Sequence, residues 1–146
     1  MKRSFAWIPL LMIVVCGALL GAQATPSNED HPKLMKANAQ AVGAMNKAIG
    51  SGAFADARMQ VATLRQNFMA LEKFWMEKKK EDAVVIIKDG VTRLDAMDRI
   101  LSAATVDQMA AQAAAKEFGG NTCAPCHKQY REGDAQSGFK FKPGVL

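Results

Sequence analysis

Residues 54–77 read FADARMQVATLRQNFMALEKFWME. Phe54, Val61, Leu64, Phe68, Leu71 and Trp75 recur at three-and-four helical spacing. That period draws one apolar stripe along one side of a helix, the seam of an antiparallel bundle. The segment therefore needs other helices to cover it, and the flanking sequence supplies them.

Upstream, Pro32 fits a first helical position, and a helix is expected over about 32–49. Met35, Val42, Met45 and Ile49 share its apolar face, with Asn38 as the polar exception. Ser51-Gly52 ends it and turns the chain. Downstream, a helix is expected over about 82–103, with Ile87, Val91, Leu94 and Leu101 as its stripe and Met97 beside it. The β-branched run AVVII at 83–87 lies inside that helical pattern and reads as helix. Gly90 weakens this helix and permits close backbone approach. AATVD is the next break. Thr105 is expected to cap the fourth helix, with Asp107 in its first turn. Met109, Ala110, Ala113 and Ala114 give that helix a small-residue face, and Gly119-Gly120 loosens or interrupts it. A final helical segment is expected over about 122–132. Residues 25–30 read as an unstructured lead-in, and the tail GDAQSGFKFKPGVL as a loop from which Phe139 and Phe141 pack back. No strand pattern is evident. The expected fold is all-α, an antiparallel up-down-up-down four-helix bundle.

The chain divides into a leader, 1–24, and a domain, 25–146. Lys2 and Arg3 precede an apolar run that ends at Leu20, and Ala22-Gln23-Ala24 has the small-x-small form of a signal-peptidase site. An uncleaved anchor, since the run approaches spanning length, and a lipidated Cys16 are the other readings. Cleavage after Ala24 releases the domain outside the cytoplasm, with no stable membrane insertion, and removes Cys16. Only Cys123 and Cys126 of the three cysteines then remain, too few for a disulfide framework. A domain this small needs helix packing or a cofactor to complete its core. Without Lys2 and Arg3 the 19 basic groups become 17 against 14 acidic ones, a formal +3. That mild charge, with no interleaving of basic and aromatic residues, speaks against a nucleic-acid partner. Lys78, Lys79 and Lys80, enclosed by Glu77, Glu81 and Asp82, read as a solvated helix end. No paired acid–base residues, phosphate loop or covalent triad points to an enzyme.

Cys123-Ala124-Pro125-Cys126-His127 carries the chemistry. Two buried thiols with no further role are the plainest reading. A redox pair would start a helix after a strand, and no such unit precedes Cys123. A structural zinc site takes about four ligands, and this motif offers three. Haem uses every residue: the thiols add to the two vinyl groups as thioethers, and His127 takes the iron from one side. The expected export agrees with that reading.

The segment CAPCHKQYR, from Cys123 to Arg131, late in a chain of four helices, resembles the class II c-type cytochromes, the cytochrome c prime family. The likeness runs from Met35 to Arg131. It implies one covalent haem c near the C-terminal end, with Cys123, Cys126 and His127 binding it. Met35 matches the distal position of the low-spin, methionine-ligated branch, so the resemblance makes His127 and Met35 the iron ligands. His31 stands where the family often has an arginine near a haem propionate, and it is the rival ligand. Lys33 or Lys36 is then left to pair with that carboxylate. The resemblance puts Arg131 close to the haem edge, and i,i+4 spacing lays it over the same helical face as His127. Tyr130, Phe68 and Trp75 read as packing residues. The implied function is one-electron transfer by a soluble periplasmic monohaem cytochrome with a protein redox partner. The alternative is a gas-binding haem protein, for nitric oxide or carbon monoxide, with an open or displaceable distal site. The family also admits a homodimer through the first two helices.

Overall fold

The computed structural model describes residues 25–134 and 137–146. The expected leader, 1–24, lies outside them. The described chain is all-α apart from one short ladder. Helix α1 spans Asp30–Gly50, α2 Phe54–Glu77, α3 Glu81–Leu101 and α4 Gln108–Phe118. A π-helical turn, Gly119–Cys123, leads into α5, Ala124–Tyr130. The run 83–87 lies within α3, as its surroundings dictate.

Helix starts follow local side-chain chemistry. Ser27 and Asp30 form a reciprocal cap before α1: the Ser27 hydroxyl donates to the Asp30 carboxylate at 2.7 Å, and the Asp30 amide donates to the Ser27 hydroxyl at 3.3 Å. These bonds, with Lys33, hold the Asp30 carboxyl down at about 2. The lead-in is thus ordered from Ser27 onward, and α1 starts before Pro32. The cap of α4 is Asp107, whose carboxylate accepts from the Ala110 amide at 3.0 Å. Thr105 does not cap it, because the helix begins too late for that hydroxyl to reach a free amide.

Helix α1 packs on α2, α2 on α3, α3 on α4, and α4 back on α1. On the α2–α3 seam, Arg58 pairs with Asp98 at 2.9 Å, Arg65 with Asp95 at 2.7 Å and Glu72 with Lys88 at 3.6 Å. One series of residue numbers rises as the other falls, so the two helices are antiparallel. These exposed pairs fix register more than they stabilise. The stabilisation comes from buried side chains such as Met45, Leu64, Leu71, Trp75, Leu94 and Phe118.

At Gly90 the packing of α3 leaves no room for a side chain. A Cβ there would stand 2.6 Å from Phe68 Cε1 and 2.6 Å from Thr122 Cγ2. Gly43, on the exposed side of α1, has nothing within 4 Å of the same position. Gly90→Ala is therefore expected to lower stability by about 1–3 kcal/mol through overpacking. Gly43→Ala should raise it by up to about 1 kcal/mol through helix propensity. Denaturant unfolding of the two variants checks this, and equal effects would contradict the packing of α3 on α2 and the π-turn.

The C-terminal segment departs from expectation. Helix α5 stops at Tyr130, short of 132. Arg131–Glu132 (β1) pairs antiparallel with Lys140–Phe141 (β2), so the tail is a closed hairpin and not a free loop. Phe141 packs against the core with its ring stacked near Phe74 (centroids 6.1 Å apart), while Phe139 remains exposed.

Candidate functional site

The π-turn contains Gly119 and Gly120 and ends at Cys123, and α5 carries Cys126 and His127 directly after it. Cys123 and Cys126 are half-buried free thiols. Burial pushes the Cys126 thiol up to about 11, with Cys123 and Asp82 adding to the rise. Burial also raises Cys123. Both therefore stay protonated at neutral pH, the opposite of what an activated redox thiol needs. His127, also half-buried, is held below its ordinary value by burial and then by the Arg131 charge. Its imidazole is neutral and offers a lone pair.

Helix α1 forms the facing wall. His31, Met35, Asn38 and Val42 recur at helical spacing and line one cavity of about 330 Å³ with Cys123, Cys126 and His127. Phe68, Trp75 and Phe118 close its depth. This cavity adjoins a second space of about 470 Å³, whose wall again includes His31, Met35, His127 and Arg131 and adds Lys36 and Lys140. The cleft thus passes from an apolar interior to a cationic mouth.

All five residues singled out from sequence, Met35, Cys123, Cys126, His127 and Arg131, meet at this cavity. Arg131 reaches it differently from the expectation. It has left the helix, in extended conformation, and its guanidinium lies 4.0 Å from the centre of the Phe139 ring. Its amide still donates to the His127 carbonyl at the end of α5, and only the backbone beyond that bond turns extended. His31 is enclosed by aromatic rings, with centroids 4.6 Å from Phe141 and 5.0 Å from Phe74. Burial first, and then His127, lowers it to about 4.

Tyr130 is buried, its ring 4.8 Å from that of Trp75. Burial and then the neighbouring Asp82 carboxylate push its phenol well above the ordinary range, yet the hydroxyl makes no well-aligned hydrogen bond. Sequence reasoning missed the tail's share of the site, Lys140 above all, because β2 is too short to carry a period. Asn38 showed as a polar break in an apolar stripe, but its partner Asn67 did not.

Among the described residues, no group of three or more His, Cys, Asp or Glu is placed to hold a metal ion. No helix among them is long and apolar enough to cross a membrane. Comparison with family models, with curated proteins and with solved structures finds no match to this chain.

Proposed function

We propose that the chain is an exported monohaem c-type cytochrome of the class II kind, built on an up-down-up-down four-helix bundle and acting in one-electron transfer. The cyclic packing of α1 on α2, α2 on α3, α3 on α4 and α4 on α1 supports the bundle. One observation carries the cofactor assignment: the two thiols and imidazole of the CxxCH motif face the Met35 thioether across a single apolar cavity. The donor set fits haem c. Cys123 and Cys126, three apart on one helical face, are the attachment points. His127 and Met35, on opposite walls, would supply the two iron ligands. Lys36, Arg131 and Lys140 at the mouth are the cations for the propionates.

Once bound, the haem supplies a one-electron iron couple whose potential is raised by methionine–histidine ligation. The rest is the work of the chain. Phe68, Leu71 and Trp75 exclude water from the cavity depth. Burial keeps His127 neutral and therefore able to ligate. His31 and Met35 are both half-buried, so the aromatic contacts of His31 decide in favour of Met35. Moving His31 to a metal would break its packing against Phe74 and Phe141. The redox partner is a protein of the same extracytoplasmic compartment, meeting the cleft mouth.

Absorption spectra of the purified protein in both oxidation states, before and after carbon monoxide, test the function. The expected result is a low-spin spectrum in each state that carbon monoxide leaves unchanged over minutes. A high-spin spectrum with rapid carbon monoxide binding would replace electron transfer by gas binding as the function.

A further inference from the structure

Two buried side-chain atoms among the described residues, Asn38 Nδ2 and Thr122 Oγ1, lack a hydrogen-bond partner, and a third, Tyr130 Oη, has only the poorly aligned Asp82 carboxylate beside it. All three residues line the same cavity. Unpartnered buried polar atoms are rare because leaving one unsatisfied is costly, so their convergence marks where polar atoms of an occupant belong. Asn38 is the one with a fixed orientation. Its Oδ1 accepts from Asn67 Nδ2 at 2.8 Å, which commits the amide plane and leaves the Nδ2 hydrogens unused. It lies one turn beyond Met35 on the same wall of α1. Val42, Leu64 and Phe68 around it are apolar, so little water competes for the donor.

We propose that Asn38 is a specificity-determining hydrogen-bond donor for small exogenous ligands that enter the Met35 side of the cavity when Met35 gives up its place there. It favours those with a strong acceptor atom, such as a small anion, over carbon monoxide. The inference rests on the haem reading above. Donors beside an open iron position decide which ligands are held, and Asn38 is the donor this wall provides. Asn67 acts through it as a positioning residue.

The test uses the holoprotein in a Met35→Ala background, which frees the ligand position. Fluoride binding to the oxidised form and carbon monoxide binding to the reduced form are titrated with and without Asn38→Leu. Asn67 is half-buried and can be hydrated once its partner is gone. Asn38→Leu should weaken fluoride binding by about tenfold, the loss of one charge-assisted hydrogen bond. Carbon monoxide affinity should move by less than about twofold, since its bound oxygen is a poor acceptor. Asn38→Ala, with circular dichroism as the folding control, should give the same split should leucine disturb the helix. Equal changes for both ligands, or none for fluoride, would overturn the role of Asn38 while leaving the haem reading intact. A wild-type intact mass without haem would overturn both.

Discussion

Replacing Cys123 and Cys126 together with alanine should yield a chain with no covalently attached haem. After denaturing electrophoresis, the wild type should keep haem-dependent peroxidase stain and the double variant should keep none. Either single variant retains one thiol and should hold at most one thioether, with weaker stain. The physical reason is that these are the only cysteines of the 25–146 domain, so no other thiol can substitute. Their raised pKa values make them poor thiolate nucleophiles in the folded chain, which speaks against a redox use of the CxxC pair. The experiment separates haem from zinc as well. A zinc site would leave both wild type and variants unstained, with zinc in the wild type only.

Met35→Ala carries the second large effect. It should convert a low-spin spectrum to a high-spin one while the attachment through Cys123 and Cys126 persists. Carbon monoxide should then bind to completion at concentrations that leave the wild type unreacted. The reduction potential should fall, because a thioether ligand favours reduced iron. The truncation also removes packing. Met35 is half-buried against the core, so the cost belongs at the low end for methionine, about 2 kcal/mol. Circular dichroism and denaturant unfolding separate that cost from the loss of a ligand. His31→Ala is the matched control. It should loosen the aromatic cluster around Phe74 and Phe141 and leave the spectrum low-spin. The reverse pattern, a high-spin His31→Ala and an unchanged Met35→Ala, would move the role of iron ligand from Met35 to His31.

How far these elements were legible depends on the range of the interaction that sets them. The α2 stripe runs without a break from Phe54 to Trp75, so periodicity alone bounds that helix at 54–77. The start of α4 was less legible. Thr105 and Asp107 are both good caps, and the choice fell to the side chain that reaches the Ala110 amide. The course of the chain at Arg131 was not legible, because i,i+4 spacing describes a residue only while the helix continues. The chain instead turns extended at Arg131 to pair with Phe141. A ladder of two residues on each side has no sequence period, and its pairing is a tertiary fact. The same limit applies to the site. The CxxCH motif is contiguous and could be read directly. That α1 turns Met35, His31 and Asn38 toward it depends on how α1 packs, as does the Asn38–Asn67 bond across 29 residues of chain.

The central claim is that Cys123, Cys126 and His127 hold one haem. Its most direct test is the intact mass, under denaturing conditions, of the wild-type protein made in a host with active haem-attachment machinery. The account predicts the mass of the chain from Thr25 to Leu146 plus one haem, with no bare polypeptide beside it. A mass equal to the polypeptide alone, from cells in which a control c-type cytochrome matures normally, would contradict it.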